Sequence, residues 1–238
     1  MIRDAERHGG VNASEQAALF DRLASGEALY VYSDNALRIV DSLVGAKGRV
    51  LDVGCGDGAI AGALGGCSAV GFDISPRCAA LAKQRGVKAV VADAAAGIPF
   101  RDGAFDTVYC VDVLHHLGGA WERVLGEIDR VLRPGGTAAV VEPDARNALV
   151  RWTQAPRSPI RVAPYGNEPA IDPAELAPLL EHLGYAVECR RIHIEGRQVE
   201  RSVFPLWQRA LKAPFVLALA LMYGSAPNKF ALLATKPE

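Results

Sequence analysis

The chain has 238 residues, half of them hydrophobic, and a formal net charge of −1. That length suits one domain with a sizeable core, and Lys and Arg spread evenly along the chain lack the basic excess of a nucleic-acid binder. The five cysteines form no C-x-x-C pair, Met1 to Gly10 is too polar for a secretory leader, and no apolar run reaches the ~18 residues that span a bilayer. A reduced, cytoplasmic chain is the expectation.

Ser14 is placed to cap a first helix carrying Ala17, Ala18, Leu19 and Leu23. Ser33 is placed to cap a second, with Leu37, Ile39, Val40 and Leu43 on its apolar side. Val50 to Val53 then reads as a buried strand running into Gly54, Gly56 and Gly58 and on into the helix-prone residues 59–64. Further strands are expected over 69–73, 87–92, 105–111 and 137–141. Between them, Ser75-Pro76 pairs an N-cap with proline at the first helical position, and a helix over 120–132 buries Val124, Leu125, Ile128 and Val131. Strands alternating with helices predict an α/β fold, a mostly parallel sheet with helices on both faces. Residues 152–172 are proline-rich and read as a loop or lid. Asp172-Pro173 opens another helix, and strands are expected over 185–194 and 229–235. Between these two lies an insert whose run from Pro214 to Tyr223 is almost wholly apolar.

The glycine turn carries the chemistry. Its spacing fits the dinucleotide pattern G-x-G-x-x-G/A through Gly54, Gly56 and Ala59, a weak signal alone. Asp52 and Asp57 flank it, and carboxylates there would repel a pyrophosphate. A ligand bearing an ammonium and a sulfonium would be welcomed.

Four further stretches follow in order: Val70-Gly71-Phe72-Asp73; Val91-Ala92-Asp93-Ala94 with Ile98-Pro99-Phe100; Phe105 to Val111 leading into Leu114-His115-His116-Leu117; and Arg130-Val131-Leu132-Arg133-Pro134-Gly135-Gly136. With the glycine turn, these make the chain resemble the class I S-adenosylmethionine-dependent methyltransferases, most closely the small-molecule group called type 11. The resemblance is strong over about residues 45–143. It implies a Rossmann-like sheet of seven strands ending in an antiparallel hairpin, in a single domain. Residues 1–46 would form a helical cap, 47–143 the cofactor-binding core, and 144–238 a substrate-side half with a helical insert over 197–227.

The resemblance also assigns roles. S-adenosylmethionine is the expected cofactor, held by Asp52, Gly54, Cys55, Gly56, Asp73, Ile74, Asp93, Ala94 and the backbone at Val111. Asp73 would take both ribose hydroxyls, since a vicinal diol offers two donors at the spacing of one carboxylate. Asp93 and the Ala94 N–H would read the adenine edge, and Asp52 would help place the methionyl ammonium. Tyr30, Tyr32 and Arg38 are weighed as pocket contacts against a packing or surface role. His115 and Glu142 are the candidates for a general base. His115 and His116, adjacent on the chain, do not share a face and have no evident third ligand, so no metal is expected. The partner is a small, hydrophobic acceptor rather than a nucleic acid or a membrane, with a homodimer contact through the apolar insert as a further option. An NAD-dependent oxidoreductase and a non-catalytic partner-binding subunit are the alternatives.

Overall fold

The computed structural model describes residues 12–32, 34–64, 68–155, 169–194, 196–200 and 226–238. In chain order these form α1 (Ala13–Arg22), a π turn (Leu23–Glu27), β1 (Ala28–Tyr32), α2 (Asp34–Val44), β2 (Arg49–Val53), α3 (Ala59–Ala63), β3 (Ser68–Asp73), α4 (Pro76–Gln84), β4 (Lys88–Val91) and β5 (Phe105–Val111). A 3-10 turn (Leu114–His116), α5 (Trp121–Val131), β6 (Leu132–Pro143), α6 (Ala148–Gln154), α7 (Pro173–His182), β7 (Ala186–Ile192), β8 (Gly196–Glu200) and β9 (Lys229–Thr235) follow.

One seven-stranded sheet runs in the order β4-β3-β2-β5-β6-β9-β7. Its first five strands are parallel, and β9 is antiparallel to both β6 and β7. This is the expected α/β architecture. Side chains alternate across each strand, so the sheet feeds two cores. Leu51, Val53, Val108, Cys110, Val140, Phe230 and Leu232 pack on one face with Val124, Leu125 and Ile128 of α5 and Leu176 and Leu180 of α7. Val50, Tyr109, Val111, Val141 and Ala231 pack on the other with Ala36 and Val40 of α2 and with Ile60. Burial on both faces explains why these strands read as nearly continuous apolar runs. Ser75 caps α4 by accepting from the Cys78 N–H at 3.0 Å, with Pro76 in the first turn, as the sequence predicts.

Three local expectations are corrected. Asn12, not Ser14, caps α1, because its Oδ1 accepts from the Ser14 N–H at 2.8 Å. The N-terminal segment is not wholly helical. Ala28–Tyr32, an ALYVY stretch of β-prone residues, is a strand that pairs antiparallel with Gly196–Glu200. The expected insert at 197–227 therefore begins as strand β8, and strand pairing across 168 positions of sequence is invisible to local periodicity. The apolar run of that insert and most of the proline-rich 152–172 segment lie outside the described residues. No helix among the described residues is long and apolar enough to cross a membrane.

Candidate active site

Parallel strands place their carboxyl ends, and hence the loops that follow, along one rim of the sheet. Gly54, Gly56 and Gly58 follow β2 there, with φ of +67°, +52° and +77°, a left-handed conformation costly for any other residue. A Cβ on Gly54 would come within 2.5 Å of the Val113 side chain, which packs over the turn from beyond β5. The space at Gly56 is open instead: a Cβ there would meet nothing within 4 Å. A ligand can therefore lie directly on the Gly56 backbone.

The acids gather around this opening. Asp73, at the end of β3, accepts from the Gly56 N–H and the Ser75 N–H, each at 2.9 Å, one on each carboxylate oxygen. Those bonds fix the carboxylate while each oxygen keeps lone-pair capacity for a hydroxyl. Burial raises its pKa; the two N–H groups and the nearby His116 oppose that, and Asp21 adds to it. Asp52 is 2% exposed, and among the described residues no group within ordinary hydrogen-bond length donates to its Oδ2. Burial pushes its carboxyl well above the ordinary range, the Tyr109 phenol beside it pulls the other way, and Asp73 and Asp57 push it further up. Asp57 is neutralised by Arg85 at 2.9 Å. The opening thus gathers two buried carboxyl groups, Asp52 and Asp73, and among the described residues its ion pair is that of Asp57 with Arg85. It suits an adenosyl ligand with an ammonium and a sulfonium, and it would repel the pyrophosphate of a dinucleotide.

The other expected contacts divide. Ile74 is half-buried beside Asp73, and Val111 closes β5 just before the rim. Asp93 turns its Oδ1 to the Ala95 N–H at 2.8 Å, bracing the loop that presents buried Ala94. Cys55 is buried in a small core with Ala61, Ala79 and Ala82, its thiol lies 3.8 Å from the Gly56 carbonyl, and its N–H bonds the Phe72 carbonyl. Arg38 is exposed.

His115 and Glu142 meet. Glu142, at the end of β6, is fully buried, and its Oε1 accepts from the Val113 and Leu114 N–H groups at 2.9 and 2.7 Å. Its Oε2 lies 2.6 Å from His115 Nδ1. The His115 side chain is 9% exposed, and the His116 ring is tilted against it with centroids 3.9 Å apart. Two residues escaped the sequence reading. Asp112, directly after β5, has φ +58°, and its carboxylate is paired with the buried ammonium of Lys229, the first residue of β9. The available signal was a lysine abutting the apolar run Phe230 to Ala234. The expectation of no third metal-type ligand beside His115 is also corrected: one ligand atom each from Asp112, His115 and Glu142 lies within 4.8 Å of the others. Asp112 and His115 follow β5 and Glu142 ends β6, and it is the meeting of these two strand ends that spacing along the chain does not reveal.

Residues 51–140 match the family model described as a methyltransferase domain. An uncharacterised methyltransferase of Synechocystis is 30% identical over 154 residues, covering 62% of this chain and 71% of that protein. The chain belongs to the S-adenosylmethionine-dependent methyltransferases.

Other members of this methyltransferase family differ in acceptor. A tRNA (carboxymethyluridine(34)-5-O)-methyltransferase of Arabidopsis thaliana is 33% identical over 110 residues, 44% of this chain and 27% of that one. The 27-O-demethylrifamycin SV methyltransferase of Amycolatopsis mediterranei is 36% identical over 118 residues, 43% of each. The chain thus spans less than half the length of the first curated relatives it matches. Among solved structures, the YcgJ protein of Bacillus subtilis superposes with a TM-score of 0.63 at 18% identity, over 87% of this chain and 100% of that one, which shows the shared fold. S-adenosylmethionine is the cofactor of the family, and the open glycine backbone with its buried acids fits it. The expectation that excluded nucleic acid is narrowed by these relatives, since the family includes enzymes named for tRNA as well as for small molecules.

Proposed function

We propose that this chain methylates an ionisable oxygen of a small, hydrophobic acceptor, with His115 as general base and Glu142 as the residue that orients it. The observation that carries this reading is the 2.6 Å His115–Glu142 contact at the ends of β5 and β6, next to the glycine turn. With both Glu142 oxygens committed, Nδ1 of His115 is the nitrogen that donates, which leaves Nε2 to take the acceptor's proton. The cofactor supplies a methyl group on a sulfonium, already a strong electrophile. The chain's task is to hold the acceptor oxygen in line and remove its proton as its lone pair bonds to carbon. A base of this kind is needed for a hydroxyl, and both relatives cited above for their acceptors are named for methylation at oxygen. Near-neutral charge favours a small acceptor over tRNA. Asp73 and the Gly56 backbone would hold the adenosyl end, with Asp93 and Ala94 at the adenine.

The test is methyl transfer from labelled S-adenosylmethionine to a panel of phenols, hydroxylated macrocycles and tRNA. His115→Ala should lower kcat by about 10²–10⁴ while adenosylhomocysteine binding stays unchanged. Undiminished turnover in that variant would remove the base, and turnover on tRNA alone would replace the acceptor class.

A further inference from the structure

Two carboxylates and an imidazole converging within 4.8 Å are the donor set a divalent cation takes in a mixed nitrogen–oxygen site. Here a protein cation is already seated against one member of that set. The Lys229 side chain is 7% exposed and its ammonium is in direct contact with Asp112 Oδ1. Two features show that this position is built. Lys229 is anchored in the sheet, paired with Pro143 of β6 on one side and Ile192 of β7 on the other. Asp112 adopts a left-handed backbone, held by its N–H to the Val141 carbonyl at 2.9 Å, and it is the one non-glycine residue with positive φ among the described residues.

We infer that Lys229 is the resident cation of this cluster: its ammonium occupies the place of a divalent metal beside the acceptor oxygen, so the site takes acceptors with an acidic O–H and works without added metal. The inference rests on the oxygen-acceptor reading above, and its charge balance agrees with it. Asp112 and Glu142 bring two negative charges and Lys229 one positive. The cluster carries one excess negative charge while His115 is neutral, and none once His115 has taken a proton. A fixed ammonium also favours the acceptor oxygen as an anion. Lysine serves as such a point charge without the coordination geometry a metal imposes.

The test reads metal binding, not turnover, and so is separate from the fate of the proposed activity. Tag-free wild-type protein, His115→Ala, Lys229→Met, Lys229→Gln and the double variant Lys229→Met with His115→Ala are titrated with cobalt(II), following its visible d–d bands. Adenosylhomocysteine binding reports the folded state of each. The wild type should develop no site-specific band. Lys229→Met, or Lys229→Gln if the methionine variant does not fold, should take up about one equivalent, and the double variant should lose it. Cobalt uptake by the wild type that His115→Ala abolishes would overturn the inference. So would folded Lys229 variants that bind none.

Discussion

Asp52 is the residue at which stability and function pull in opposite directions. Its carboxyl is held well above the ordinary range, chiefly by burial. A carboxyl raised on folding takes up a proton, so its contribution is most favourable below the unfolded value near 3.9 and declines as pH climbs to the folded one. A ligand ammonium placed near it would reverse the shift. Binding in the window between the ordinary and the raised value should therefore release protons, and affinity should rise with pH across that window. Calorimetry of adenosylhomocysteine binding in buffers of different ionisation enthalpy measures this directly. Asp52→Asn should abolish the proton release, weaken binding roughly tenfold or more, and raise the melting temperature at neutral pH, because the cost of burying an ionisable carboxyl is gone. Proton release that survives in the variant would assign the linkage to another group, with Asp73 the next to test.

At the scale of elements, the loop after β4 owes its shape to α5. Arg130 donates to the Phe100 and Ile98 carbonyls at 2.8 and 2.9 Å, to Asp102 at 2.7 Å and to both Glu127 oxygens. Glu127 in turn accepts from the Ile98 N–H at 2.9 Å, and Arg123 reaches the Ala96 carbonyl. The loop that begins with Asp93 and Ala94 is thus stitched to a helix that itself supplies none of the expected ligand contacts. Hydrogen bonds from Arg130 first, then from Ile98, bring the Glu127 carboxyl down to about 2. A lowered carboxyl stabilises above the unfolded value near 4.3, and that stability is lost as pH falls through 4 toward 2. Solvent screening holds the effect to about 1 kcal/mol. Arg130→Lys keeps the charge and loses the planar fork, so it should speed amide exchange over 95–103 and weaken adenosylhomocysteine binding several-fold. It should leave exchange in β5 and β6 alone. Uniform acceleration across the sheet would show that Arg130 braces the fold as a whole instead.

At the scale of the molecule, what could be read in advance is what neighbouring residues decide. Ser75-Pro76 starts α4 by local chemistry, and Gly54, Gly56 and Gly58 mark a left-handed turn whatever surrounds them. The pairing of β1 with β8 and of Asp112 with Lys229 joins positions more than a hundred residues apart, and no periodicity encodes it. The docking of α1 belongs to the same class. Its Asp21 accepts from the Ser75 hydroxyl and from the Arg77 N–H at the start of α4, beside Asp73. Five residues earlier, Gln16 donates to the His116 carbonyl at 2.8 Å, and the Phe20 ring meets His116 edge-on at 5.2 Å. One helix therefore bridges the rim of β3 and the turn after β5, above the Gly56 opening between them. An adenosyl ligand is therefore expected to enter and leave by a lift of α1. Asp21→Ala removes two hydrogen bonds at one end of the bridge, each contributing about 0.5–1.5 kcal/mol, so the bound state should lose adenosylhomocysteine about tenfold faster. Association should quicken as well, because the closed form is less populated. Asp21→Asn retains an acceptor for Ser75 and should stay near the wild type, which separates the bond from the charge that Asp21 places near Asp73. Stopped-flow fluorescence of the three proteins measures both rates. Equal dissociation from all three would mean that the ligand leaves without moving α1.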